Sequence, residues 1–208
     1  MTRCEQKPGN ILLDKENRCK VCDFGLSRTI GAHSSNTMTK NVGTLLYLCP
    51  EMIAEEGLPS PNYSKSENLT DKASKATKVD VYSFAIIMWE LFFEVPPFCE
   101  SEKTGNSGSI SKNNSTINIL NSVLNGKRPS IPFSNEEELL EWLAVYPMSG
   151  MKKNSQFLRG ILQYFDLVRE CWDGDAMKRP PFFVIDQRLF DISQLIANSQ
   201  LIKHNGLQ

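Results

Sequence analysis

Apolar positions along the chain fall into blocks separated by polar stretches. Val81, Phe84, Ala85, Met88, Leu91 and Phe92 follow i, i+3, i+4, i+7, i+10, i+11 spacing, the period of one helix face. Ile86, Ile87 and Trp89 fill the other faces, so this helix is apolar all round and belongs in the middle of a domain. Pro96 and Pro97 stop it. A second helix is expected over Ile161–Trp172. A third follows Pro180 and Pro181, with Ile185, Leu189, Ile192 and Leu195 on one face and the prolines in its first turn. Glu136–Tyr146 reads as a short acidic amphipathic helix packed on the surface. Ile11-Leu12-Leu13, the turn-like Asp14-Lys15-Glu16-Asn17 and then Cys19–Cys22 predict a short β-hairpin. The pattern as a whole predicts a mainly α fold with one small β element at its N-terminal end and no internal repeat.

The polar stretches have their own meaning. Residues 31–44 are rich in Ser, Thr, Asn and Gly and read as an exposed loop. Residues 54–77 and 99–115 carry Ser, Lys, Asn and Glu with almost no aromatics, which predicts mobile surface insertions, and 134–158 is grouped with them.

Composition narrows the class. The chain has 208 residues, 40% of them hydrophobic, enough for one ordinary domain. Lys and Arg total 23 against 24 Asp and Glu, so no basic excess points to nucleic acid or acidic lipid. The longest near-apolar run, Phe84–Phe93, includes Glu90 and is too short to span a bilayer. Met1–Lys7 has no apolar stretch of the signal-peptide kind, so a cytoplasmic location is expected. Cys4, Cys19, Cys22, Cys49, Cys99 and Cys171 fit that compartment as reduced thiols. Cys19-x-x-Cys22 is half of a zinc pattern without a second pair, and an offset of three along a strand points the two thiols to opposite faces. No metal site is expected there. His33 and His204 have no partners at ligand or triad spacing and read as loop and tail residues.

A series of short segments carries chemistry when taken in order. Lys7-Pro8-Gly9-Asn10-Ile11-Leu12-Leu13 is followed, after the hairpin, by Asp23-Phe24-Gly25. Gly43-Thr44-Leu45-Leu46-Tyr47-Leu48-Cys49-Pro50-Glu51 comes next. Asp80-Val81-Tyr82-Ser83-Phe84, Cys171-Trp172 and Lys178-Arg179-Pro180 complete the series. Together they resemble the C-terminal lobe of a protein kinase, from Lys7 to about Ile196. The first segment is similar to the second half of a kinase catalytic loop, and the third to the substrate-binding loop with its closing Ala-Pro-Glu, Cys49 standing in the Ala place. The flavour is that of the tyrosine-kinase-like group, with Lys7–Asn10 and Gly43-Thr44 resembling serine/threonine specificity.

The resemblance implies an enzyme that transfers the γ-phosphoryl of Mg-ATP to a protein hydroxyl. Its cofactors would be ATP and Mg²⁺, with Asp23 and Asn10 supplying hard oxygen ligands to the metal. Lys7 would lie against the γ-phosphate, Thr44 would brace it, and Leu12 would form the floor of the adenine pocket. Ser34, Ser35, Thr37 and Thr39 occupy the usual place of activation-loop phosphorylation, or are solvated loop residues. Glu51 and Arg179 resemble the ion pair that ties the substrate loop to the helical base. Asp80 resembles the helix-start acid that holds the catalytic-loop backbone, and Trp172 reads as core.

Departures from the pattern bear on activity. The place of the family's general base holds Glu5, whose extra methylene displaces the carboxylate. Misplacement by ~1 Å costs ~10²-fold where catalysis is mostly positioning. Cys4 stands where an arginine would pair with an activation-loop phosphate, and Arg3 where a histidine would pack on Phe24. The six residues before Lys7 carry no Gly-rich loop, strand lysine or helix glutamate of an N-terminal lobe. The expected architecture is therefore a mainly α, protein-kinase-like C-lobe over 7–198, with residues 1–6 an unmatched start from a truncated or misjoined frame, a tail over 199–208 and the N-lobe missing. One side of the central helix would then lie bare. The enzyme reading is a serine/threonine kinase, inactive or strongly impaired as written. The alternative is a non-catalytic, pseudokinase-like lobe that binds an intact kinase or an N-lobe partner.

Overall fold

The computed structural model of the chain describes residues 7–22, 44–55, 69–99, 116–148 and 150–201. Among these residues the only sheet is a two-stranded antiparallel hairpin, β1 Ile11–Leu13 and β2 Cys19–Val21, with Ile11 opposite Val21, Leu12 opposite Lys20 and Leu13 opposite Cys19. Its turn is built by one carboxylate. Asp14 accepts the backbone N–H of Glu16 at 3.0 Å and of Arg18 at 2.8 Å, and Asn17 takes the left-handed conformation at φ 59° that asparagine tolerates.

The remainder is helical: α1 Pro50–Glu55, α2 Leu69–Phe93, α3 Thr116–Leu124, α4 Glu136–Val145, α5 Ser155–Cys171 and α6 Phe182–Leu201. This is the mainly α fold with a small N-terminal hairpin that the apolar pattern predicts. α2 runs through the centre. Val81, Tyr82, Ala85 and Ile86 are fully enclosed, and no residue from Val79 to Glu90 is exposed. The expectation that one side of this helix lies bare is therefore overturned. The segment before α1 covers one side and α5 another. Tyr164 on α5 donates its hydroxyl to the Met88 carbonyl at 2.7 Å, and Trp89 donates to the Ser130 carbonyl at 2.9 Å. Leu91, placed on the buried stripe by the sequence, is 68% exposed in the last turn.

Several boundaries differ from the sequence reading. α2 begins at Leu69, not near Asp80, so the last part of the polar stretch 54–77 is helix. Its first turns are built from Ala, Lys, Ser and Thr without Gly or Pro, which permits a helix but leaves no apolar period to reveal it. α5 begins at Ser155, six residues before the expected start. Asn154 caps it by accepting the Phe157 N–H at 2.9 Å. α3 was not expected, although Ile117, Leu120 and Val123 recur every three residues, and Leu120 and Val123 are buried.

The stretch 134–158 is no surface insertion. Glu138 closes a capping box by accepting from the backbone and hydroxyl of Ser134, and its own N–H donates to Asn135 at 2.9 Å. The resulting α4 sinks Leu139 and Leu143 fully into the core. Its Trp142 joins an aromatic cluster with Phe92 and Phe93 of α2, Phe165 of α5 and Phe133 of the segment before α4. Phe92 and Phe165 meet edge to face at 4.7 Å, as do Phe93 and Trp142 at 5.6 Å. Edge-to-face rings add about 0.5–1.5 kcal/mol per pair beyond the area they bury.

α5 and α6 pack against each other at Gly160. A Cβ there would stand 2.6 Å from Ile196 Cγ1, so the glycine is what allows the two helices this spacing. Gly160→Ala is expected to lower stability. The overpacking cost of about 1–3 kcal/mol exceeds the ~1 kcal/mol gained in helix propensity. Urea denaturation checks this, and adding Ile196→Ala should cost less in the Gly160→Ala background than in the parent chain.

Candidate active site

Two segments carry the residues that the motifs single out. The first is the turn ahead of the hairpin. Lys7 is extended, Pro8–Asn10 forms one 3₁₀ turn, and the Asn10 N–H returns to the Lys7 carbonyl at 2.9 Å. Proline suits the first position of such a turn, because its φ is already set and its missing N–H would have no partner there. At the far end of the hairpin, the Cys22 N–H donates to the Asn10 carbonyl at 2.8 Å. The hairpin thus brings the chain back to Asn10, which is only 5% exposed. Leu12, on β1, is 54% exposed.

The second is the segment leading into α1. Thr44–Tyr47 forms a 3₁₀ turn, and two contacts fasten it to α2. Ser83 donates its hydroxyl to the Tyr47 carbonyl at 2.9 Å, and the Tyr47 hydroxyl donates to the Glu90 carboxylate. Burial, and then the adjacent Glu90 charge, push the Tyr47 pKa well up, so the phenol remains a donor.

Glu51 sits in the first turn of α1, where a carboxylate suits the helix dipole. Both of its oxygens are held by Arg179, at 2.6 Å from Nη1 and 2.9 Å from Nη2. The Arg179 side chain has no exposed surface and that of Glu51 little. Arg179 also donates to the carbonyls of Asp173 and Lys78, each at 2.9 Å. Four hydrogen bonds therefore use four of the five N–H groups of a guanidinium. Lys78 returns a hydrogen bond from its ammonium to the Arg179 carbonyl. Burial by itself would lower the Arg179 pKa, but the hydrogen bonds and charge of Glu51 outweigh it and hold the guanidinium firmly charged.

The pair has a further layer. The guanidiniums of Arg179 and Arg128 lie 5.2 and 5.1 Å from the centre of the Tyr82 ring, within cation–π range. Arg128 is itself anchored on the Trp172 carbonyl at 2.9 Å. Cys49 is wholly buried beside the pair. Burial first, and the Glu51 charge second, raise its thiol pKa well above the ordinary range.

The structure brings Glu51 and Arg179 into contact and places Lys7, Asn10 and Leu12 within one turn and one strand. Thr44 opens the 3₁₀ turn, with its side chain outside the described residues, and Asp80 lies in the middle of α2. Glu5, Asp23, Ser34, Ser35, Thr37 and Thr39 lie outside the described residues, as do Arg3, Cys4, His33 and His204. Trp172 is buried, at the C-cap of α5. The sequence reading assigned no role to Lys78, Tyr82 or Arg128. Tyr82 carried a signal, since a tyrosine inside a helix buried on all sides needs a reason. Lys78 and Arg128 carried none, because both act through or upon backbone carbonyls that no side-chain pattern encodes.

The helical base thus grips the start of α1 through a buried carboxylate–guanidinium pair, and the hairpin folds back onto a buried asparagine. The family model for the protein kinase domain matches residues 4–189, and the chain belongs to that family. It is 29% identical over 178 residues to human receptor-interacting serine/threonine-protein kinase 4, covering 85% of this chain and 16% of that protein. To human ankyrin repeat and protein kinase domain-containing protein 1 it is 32% identical over 184 residues, covering 86% and 18%. RGS domain-containing serine/threonine-protein kinase A of Dictyostelium discoideum is 27% identical over 179 residues, covering 86% and 11%. The match spans less than a fifth of the length of each of these relatives.

Two outcomes are expected. Glu51→Ala leaves a buried guanidinium without its counter-charge and should cost about 3–5 kcal/mol in urea denaturation, whereas the double change Glu51→Leu with Arg179→Met should cost less than that single change. The second concerns pH. Burial pushes Cys171 up to about 12, against 9.0 for a free thiol, and Cys49 is raised as well. Below pH 9 both thiols are protonated whether folded or not, and their contribution is constant. Above it the unfolded chain loses these protons first, so stability falls as pH rises toward 12. The urea midpoint should drop between pH 9 and 11, and by less in Cys171→Ala.

Proposed function

We propose that this chain is the C-terminal-lobe part of a serine/threonine protein kinase, which transfers a phosphoryl group from Mg-ATP to protein hydroxyls. The observation that carries the reading is the 2.8 Å bond from the Cys22 N–H to the Asn10 carbonyl. Asp23 is the next residue in the chain, and in this reading its carboxylate would join the Asn10 carboxamide as the second oxygen donor. Two hard oxygen donors would suit Mg²⁺, which takes few protein ligands and keeps phosphate oxygens and waters for the rest. Asn10 fits that use. It is a polar residue enclosed at the foot of the hairpin rather than spread on the surface. When bound, the metal neutralises charge on the phosphates.

The chain's own residues would position the reactants. Lys7, one turn before Asn10, would supply a positive charge to the phosphates. Leu12, more than half exposed on β1, would offer an apolar wall to a nucleotide base. Thr44, at the start of the 3₁₀ turn tied to α2, would set the distance between Lys7 and the incoming hydroxyl. The Glu51–Arg179 grip would hold that segment while substrates exchange. Glu5 stands at the general-base position. Its longer side chain would make it a poor substitute for aspartate, so the 208-residue chain alone is proposed to be impaired.

The binding-lobe reading drew on a bare side of the central helix. No residue from Val79 to Glu90 is exposed, so that part of the helix offers no docking surface.

The test compares two proteins. The purified 208-residue chain, given Mg²⁺, labelled ATP and a generic serine/threonine substrate, should transfer little label. The protein translated from the full transcript, read through the codons before Lys7, should transfer it. Asp23→Ala or Asn10→Ala should lower that transfer at least 10²-fold, while Leu91→Ala on the exposed end of α2 leaves it unchanged. A full-length product with no transfer, or one indifferent to Asp23→Ala, refutes the proposal.

A further inference from the structure

The outer face of α6 carries a stripe of apolar side chains, with the exposed Gln187 and Gln194 between them, that nothing in the described residues covers. Phe183 is 73% exposed, Phe190 62% and Leu201 75%. Phe183, Phe190 and Ala197 recur at seven-residue spacing, and Leu201 follows four residues on, so all four share one side of the helix. Ala197 is exposed too. The opposite side supplies the domain core through Ile185 and Ile192. α6 is thus apolar on two faces, although only one has a neighbour. Two phenylalanines held in water on a rigid helix are unusual for a surface, where contiguous apolar patches mark binding sites.

Charge narrows the occupant. Asp186 borders the stripe on one edge and Asp191 on the other, and both are exposed. Among the described residues neither forms an ion pair. Arg188, the arginine of this helix, is turned to Glu170 on α5 and held by both of its oxygens. A pairing of two copies centred on Phe190 would set Asp191 against Asp191. The like charges at the edges of the stripe therefore disfavour self-association and favour a partner of opposite charge.

We propose that the outer face of α6 docks a basic amphipathic helix of a partner protein, with apolar side chains seated over Phe183, Phe190 and Leu201 and Lys or Arg side chains reaching Asp186 and Asp191. Such a helix lays one apolar seam in register with another, and its flanking charges choose the partner.

The experiment uses the full 208-residue chain and two fluorescein-labelled synthetic helices, identical in their leucine seam but flanked by lysine in one and glutamate in the other. Fluorescence anisotropy should show the lysine helix binding at least tenfold tighter than its glutamate twin. Phe183→Ser with Phe190→Ser should weaken it at least tenfold, with the thermal midpoint unchanged because both side chains are exposed. Asp186→Lys with Asp191→Lys should reverse the preference, a readout that loss of folding cannot mimic. Equal binding of the two helices, no binding of either, or indifference to the phenylalanine changes would overturn the proposal. So would a concentration-dependent dimer, seen by sedimentation and abolished by Phe190→Ser, which would make the occupant a second copy.

Discussion

The Glu51–Arg179 pair is the constraint on which the candidate site depends. Taking two charges out of water is costly, and mutual attraction repays it only when geometry is good and the remaining hydrogen-bonding groups are satisfied. Both conditions are met. The contact is bidentate, and the other donations of Arg179 go to the Asp173 and Lys78 carbonyls, on two different parts of the base. The pair is therefore a junction rather than a single bridge. It joins the start of α1, the middle of α2 and the loop after α5. An apolar contact could bury similar area, but it would not set the orientation of α1, because dispersion has no preferred direction.

The apolar framework is what makes that junction dry. α2 presents side chains in all directions, and each direction has a partner: the 44–49 segment, α5, or the aromatic cluster shared with α4. The polar links across these surfaces are few and well placed. The Tyr164 hydroxyl and the Trp89 indole N–H each donate to a backbone carbonyl, so their aromatic area is gained without orphaning either donor. Segment 44–47 is attached at both levels, by its backbone to Ser83 and by the Tyr47 side chain to Glu90. A loop held in this way can position a substrate without itself being core.

What could be read from the sequence followed from the strength of the local signal. Ile185 and Ile192 are buried on α6, and Ile11 to Val21 form the hairpin, because periodicity and turn chemistry act over a few residues. The Glu51–Arg179 contact was legible only through resemblance, since no local rule relates residues so far apart. Where the signal was weak the reading failed in an instructive direction. The first turns of α2 are helical through propensity, which leaves no apolar stripe. α4 looked like surface because its glutamates outnumber its buried leucines, although Leu139 and Leu143 are wholly enclosed. Lys78 and Arg128 work through backbone carbonyls, and only the fold shows which carbonyls they meet.

The separation of Glu51 and Arg179 also orders how the molecule can assemble. They lie 128 residues apart, and closing a flexible loop of that length costs about 4 kcal/mol beyond a constant. One ion pair cannot recover that from an unfolded chain. The local helices and the aromatic cluster must first shorten the effective loop, and only then does forming the pair become favourable. The anchor at the start of α1 is thus among the last parts to form on the way in, and its attachment records that the base beneath it is already complete.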